Sequence, residues 1–117
     1  LKIVKHIKSL KIPAICFPKG IGENYVDFCS AVKPNCINID YDLDPEWIKE
    51  KLNGTPIQGG LDPKILLTNK EKIKKSTENY LNIFDDYPYI FNLGHGVLPE
   101  TKPEIIEYII QIVRNKR

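Results

Sequence analysis

Four short segments of this chain gather the residue types that can do chemistry: acids, a lysine and a histidine set among glycines. They are Phe17-Pro18-Lys19-Gly20-Ile21-Gly22, Ile39-Asp40-Tyr41-Asp42, Gln58-Gly59-Gly60-Leu61-Asp62-Pro63 and Asn92-Leu93-Gly94-His95-Gly96. The last is the sharpest. Gly94 and Gly96 flank His95, so the backbone can turn freely there and leave the imidazole exposed. An imidazole titrates near about 6.5 and can donate, accept or shuttle a proton. A lone histidine is commonly structural, but one set between two glycines at a predicted strand end is expected to act on a ligand. The other histidine, His6, falls on a helical stretch and is expected at the surface.

The first segment invites comparison with a dinucleotide fingerprint. Gly20-x-Gly22 follows a predicted strand and precedes a helix, and Asp40 ends the next strand. The third glycine position holds Tyr25, whose bulk would keep helix and strand apart at their closest contact. The two glycines therefore read as a tight turn. Asp40, Asp42 and Asp44 resemble the start of a calcium loop, but the glycine required at its sixth position is Pro45. Asp44 is better placed as a helix cap. Asp40 has two readings, a part in a site or a hydrogen bond to a neighbouring turn, and both stay open. No nucleophile elbow, P-loop or H-E-x-x-H occurs, and no second histidine accompanies His95 at metal-binding spacing.

Composition narrows the classes further. The chain has 117 residues, 42% hydrophobic and 27% charged, the balance of one globular domain or part of one. Its net charge of +2 comes from dispersed lysines rather than a basic stripe, which argues against nucleic-acid binding. No apolar run approaches the roughly 20 residues of a membrane helix. No signal peptide is visible, and the chain opens on Leu1 within a helical pattern, as expected of a piece of something longer. Cys16, Cys29 and Cys36 form neither a C-x-x-C pair nor a disulfide framework, so reduced thiols in the cytoplasm are expected. Asn53-Gly54-Thr55 matches a glycosylation sequon, read as chance in a chain without an export signal.

The elements that must position these segments follow from periodicity. Four short apolar runs, 13–17, 36–40, 55–59 and 89–93, read as strands. Tyr25, Phe28, Cys29 and Val32 share a helical face, as do Ile73, Thr77, Tyr80, Leu81 and Phe84. Ile105, Ile106, Ile109, Ile110, Ile112 and Val113 form a broad apolar face near the end, and Ile3, Val4, Ile7 and Leu10 mark an opening helix. Asp44-Pro45 and Asp62-Pro63 place a carboxylate cap before proline. Thr68 to Glu71 and Thr101 to Glu104 fit capping boxes. Strands alternating with helices predict an α/β fold with parallel pairing. Four such units are half of an eight-stranded barrel of about 250 residues; an open four-stranded sheet is the alternative. In either, the chemistry-bearing segments fall at the carboxyl ends of the strands.

Taken together, the strand-end motifs resemble the C-terminal half of the uroporphyrinogen decarboxylase family. The Phe17-Pro18-Lys19-Gly20 end, Ile39-Asp40-Tyr41, Gln58-Gly59-Gly60-Leu61-Asp62-Pro63 and Asn92-Leu93-Gly94-His95-Gly96 occur in the family's order, followed by Pro99-x-Thr101-x-Pro103-Glu104. The match covers nearly the whole chain. Gly60 stands where the family usually has Asn, and Tyr41 where it has Trp; Gly60 is expected to loosen its strand end. The resemblance implies a (β/α)8 TIM barrel working as a homodimer. It implies decarboxylation of the four acetate side chains of uroporphyrinogen III to give coproporphyrinogen III in haem biosynthesis. It also implies no metal and no organic cofactor, because a protonated pyrrole can itself take up the electrons released with carbon dioxide.

By the same resemblance, His95 contacts the substrate, with Lys19 and Asp40 as further candidate contacts. The family's substrate-handling arginines and aspartate lie in the N-terminal half, which this sequence lacks. Its own arginines, Arg114 and Arg117, lie far from the strand ends. Related cobalamin-linked methyltransferases hold zinc through a H-x-C pair, and Phe17-Pro18-Lys19-Gly20 carries neither ligand. Two functions follow: part of a decarboxylase that is inactive without its missing half, or a non-catalytic half-barrel that only pairs with a partner half or dimer mate.

Overall fold

The four predicted strands pair as one parallel sheet in the computed structural model, which describes residues 1–116. Arg117, named among the arginines above, lies outside the described residues. The strands are β1 (Ile15–Cys16), β2 (Cys36–Ile39), β3 (Ile57–Gly59) and β4 (Tyr89–Ile90), adjacent in chain order. Ile15 pairs with Cys36, Ile37 with Ile57, and Gln58 with Ile90. A doubly wound sheet reverses its strand order at a switch point, whereas the wall of a barrel does not. The unreversed order is consistent with part of a barrel.

The strands are shorter than their apolar runs. Both edge strands reduce to two residues, because each has a single neighbour and β1 lies between Pro13 and Pro18, which lack amide donors. Central β2 keeps four residues, all buried.

Helices α1 (Lys2–Ser9), α2 (Tyr25–Val32), α3 (Pro45–Leu52), α4 (Lys70–Ile83) and α5 (Pro103–Asn115) fill the intervals. Short 3-10 helices, Gly22–Asn24 and Pro63–Leu67, enter α2 and follow β3. Asp44 accepts from the Glu46 amide at 3.0 Å, and Asp62 from the Lys64 amide at 2.9 Å. The other two expected caps need correction. Asn69, not Thr68, caps α4 by accepting from the Lys72 amide at 2.9 Å. Lys102 stands at the N-cap of α5 without a side-chain bond. Pro103 opens α5 and removes one unsatisfied amide there.

The core lies on one face of the sheet. Ile37, Ile39 and Ile57 pack with Tyr25 and Cys29 of α2, Ile48 and Leu52 of α3, and Phe84 after α4. A second cluster joins Leu61 and Leu66 to Ile73 of α4 and Ile109 of α5. Side chains alternate along a strand, so Ile15, Asn38, Gln58 and Ile90 fall on the opposite face. The edges of that face are bare, Ile15 being 53% and Ile90 49% exposed, whereas Cys36 and Asn38 at its centre are buried. α1 is equally bare, with only Val4 buried.

Candidate functional site

All four chemistry-bearing segments emerge at the carboxyl ends of the parallel strands. The segment after β4 does most to join them. Leu93 pairs in parallel with Leu61 beyond β3, and the Gly94 amide donates to the Leu61 carbonyl at 2.8 Å. Gly94 lies on the backbone of Tyr41, just past β2: a Cβ on Gly94 would stand 2.5 Å from the Tyr41 nitrogen. The His95 ring lies 6.5 Å from the ring of Phe17, just past β1, at 64°. Three consecutive residues thus step across the ends of β3, β2 and β1. Gly94 is required by this close approach.

His95 is exposed, as its glycine neighbours predicted, and His6 is exposed on α1. Lys19 is exposed and enters no hydrogen bond or ion pair among the described residues. Asp40 differs from both. It is 3% exposed, and its Oδ2 accepts from the Gly20 amide at 2.7 Å and from the Tyr25 hydroxyl at 3.0 Å. Of its two readings, the bond to a neighbouring turn is present. Burial, then the Asp40 charge, pushes the Tyr25 hydroxyl well above its ordinary range, so it stays protonated and donates.

Tyr25 also answers the dinucleotide comparison. It is fully buried at the third glycine position, between helix and strand, with its hydroxyl on Asp40. The acid that would hold a ribose is bonded to the protein. The spacing from Gly20 to Tyr25 marks the bulk of the ring at the helix–strand contact but carries no sign that its hydroxyl reaches Asp40, fifteen residues on.

The Gln58-Gly59-Gly60 end is firmly held. Gly59 and Gly60 take φ of +87° and +105°. Their carbonyls accept from Tyr89 at 2.6 Å and Tyr80 at 2.8 Å. Burial pushes both hydroxyls up, that of Tyr80 to about 12. The expectation that Gly60 loosens this end is corrected: a Cβ there would meet Tyr80 at 2.7 Å, so glycine fits a tight joint. On the sheet face away from the core cluster, Gln58 donates to buried Asn38 at 2.8 Å. A second cation also stands near the site, unremarked in the sequence: the Lys64 ammonium lies 5.7 Å from the centroid of the Tyr41 ring. Among the described residues no cluster of three metal-ligating side chains occurs.

These features define an α/β protein with an exposed imidazole and an unpaired lysine gathered at the ends of parallel strands. Comparison with known proteins gives its family. Residues 1–116 match the family described as uroporphyrinogen decarboxylase (URO-D), and the chain belongs to that family. It is 45% identical over 115 residues to the uroporphyrinogen decarboxylase of Rickettsia bellii, covering 97% of this chain and 34% of the relative. It is 42% identical over 117 residues to that of the Wolbachia of Brugia malayi, covering 98% and 33%. For Cereibacter sphaeroides the identity is 37% over 119 residues, covering 98% and 35%. The chain thus spans about a third of the length of these relatives. No helix in the described residues is long and apolar enough to cross a membrane.

Proposed function

We propose that this chain supplies four βα units of a uroporphyrinogen decarboxylase barrel, with His95 binding the substrate. The observation that carries this reading is the seated Leu93-Gly94-His95 turn, which holds an exposed imidazole over the carboxyl end of the sheet in a chain of this family. The complete enzyme would remove the acetate carboxyls of uroporphyrinogen III to give coproporphyrinogen III. A protonated pyrrole takes up the electron pair left by carbon dioxide, so the protein's part is orientation and placement of charge. His95 donates a hydrogen bond to the substrate, and Lys19 offers its ammonium to a carboxylate.

The proposed partner is the remainder of the barrel, about two thirds of the relatives' length, with a dimer mate beyond it. Exposed Ile15 and Ile90, on the sheet face away from the core cluster, and the open edges of β1 and β4 support this pairing. So does an apolar groove of about 410 Å³ beside β4, lined by Phe91, Leu93, Val97, Ile106 and Ile110. A substrate with many carboxylates needs several cations, and this site offers Lys19 and Lys64. The chain by itself is therefore inactive and self-associates.

The test combines the chain with the remaining two thirds of a relative and assays coproporphyrinogen formation. Turnover by the mixture, with none from either part, supports the proposal. A stable complex without turnover supports the alternative, a non-catalytic half-barrel. Turnover by the chain alone, or a strictly monomeric chain at high concentration, contradicts the account.

A further inference from the structure

We propose that Asp40 is a positioning residue: held by Tyr25, its carboxylate anchors the Gly20 amide and so sets where Phe17 and Lys19 stand against His95. The inference rests on the decarboxylase reading above and changes the part Asp40 plays in it, from contact to anchor.

The loop after β1 needs an anchor. It reverses through Gly20 and Gly22, at φ of +82° and +55°. Nothing lies within 4 Å of a Cβ built on either glycine, so the glycines themselves are not held by packing, although Ile21 between them packs against the core. The Gly20 amide instead donates to Asp40 Oδ2 at 2.7 Å. A hydrogen bond to a charged acceptor is roughly twice as strong as a neutral one. The Tyr25 hydroxyl meets the same oxygen at 3.0 Å from the first turn of α2. Tyr25 is itself fully buried, so the anchor is fixed in the core.

The charge distribution favours an anchor over a contact. A substrate rich in carboxylates would be repelled by a bare Asp40. Buried at 3% exposure and met by two donors, that charge is turned into the protein. The exposed charge on the same loop is Lys19, two residues beyond the ring that touches His95. Asp40 thus ties β2 to a loop that holds an aromatic ring and a cation on the substrate side.

The test uses the chain assembled with the rest of the barrel. It reads deuterium exchange of the peptide containing Gly20, and kcat and KM for uroporphyrinogen. Asp40→Ala is expected to speed that exchange about tenfold and to raise KM about tenfold, with a smaller change in kcat. Asp40→Asn keeps an acceptor for the amide and is expected to bring both readings back to within about threefold of the original. Lys19→Ala is expected to raise KM similarly, and adding Asp40→Ala to it to cost little more, because both act through one loop. Tyr25→Phe keeps the ring in the core and is expected to shift exchange and KM in the same direction by less. It carries the test if Asp40→Ala fails to fold.

Unchanged exchange in Asp40→Ala and Tyr25→Phe would overturn the proposal. So would an Asp40→Asn enzyme as impaired as Asp40→Ala but with protected Gly20, since the carboxylate would then act on substrate directly. Additive losses for Lys19→Ala and Asp40→Ala would also overturn it. If the unaltered assembly turns over no uroporphyrinogen, the decarboxylase reading fails, and the exchange measurement alone decides whether Asp40 anchors the loop.

Discussion

The rings of Phe17 and His95 lie 6.5 Å apart although they follow strands at opposite edges of the sheet. Three gaps of about 4.8 Å would separate those edges by about 14 Å in a flat sheet. The separation closes because the chain after β4 turns inward, pairing at Leu61 and resting on Tyr41 before it reaches Phe17. His95 is therefore placed by three other strand ends as well as by its own.

Gly94 is the narrowest point of that path. Gly94→Ala would set a methyl 2.5 Å from the Tyr41 nitrogen, against backbone that cannot yield as a flexible side chain can. The expected result is a loss of about 1–3 kcal/mol of stability. His95 should also be displaced from Phe17, with assembled activity falling more than the folded fraction. Gly96→Ala is the control, since nothing lies within 4 Å of its Cβ. A denaturant titration with parallel kinetics checks both, and equal behaviour of the two variants would contradict the role given to Gly94.

Thr77 is fully buried in α4, and its hydroxyl has no hydrogen-bond partner among the described residues. Removing an unpaired buried hydroxyl while keeping its shape should be neutral or favourable. Thr77→Val is expected to raise stability by up to about 1 kcal/mol, since valine and threonine have similar helix propensities. A urea midpoint clearly below that of the unaltered chain would show that the hydroxyl has a partner in solution.

Alkaline pH should unfold the chain by a definite route. Burial, with a smaller contribution from Cys16, pushes the Cys29 thiol from its ordinary 9.0 up to about 11. Burial pushes the Tyr80 hydroxyl from 10.0 to about 12, with help from Asp62 and Asp44. A raised folded pKa means that, above the ordinary value, the unfolded chain gives up a proton that the folded chain keeps. Stability is therefore full below pH 9 and falls as pH rises through the folded values. Cys29→Ala should make the fall between pH 9 and 11 shallower, leaving the part due to Cys36, whose thiol burial also raises, and above pH 10 the part due to the buried tyrosines. Urea midpoints measured from pH 7 to 11 check this, and an unchanged slope in Cys29→Ala would refute it.

Much of this arrangement was legible in the sequence, because local rules governed it. Asp44 and Asp62 cap before proline, the glycines around His95 leave it exposed, and the apolar runs set four parallel strands. What escaped depended on distant partners. Thr68 and Asn69 are both good caps by type, and which one bonds the first turn of α4 is decided by how the chain enters that helix. Asp40 could not be resolved while Gly20 and Tyr25, twenty and fifteen residues away, were unplaced. Gly60 read as a loose joint because the ring it must clear, Tyr80, arrives from α4. Lys64 gains its place near the site only through the ring of Tyr41.

The most direct measurement is uroporphyrinogen turnover by the assembled enzyme with His95 replaced by alanine. His95 is exposed on its turn, so truncation leaves no core cavity and the denaturation midpoint should not move. Loss of one charge-assisted contact to an anionic substrate is worth about 1.5–3 kcal/mol, a roughly tenfold to hundredfold fall in kcat/KM. His95→Asn should retain more, since its amide still donates a hydrogen bond. The account predicts that fall at unchanged stability; unchanged kinetics with a lowered midpoint would make His95 a brace for its own turn and contradict the site.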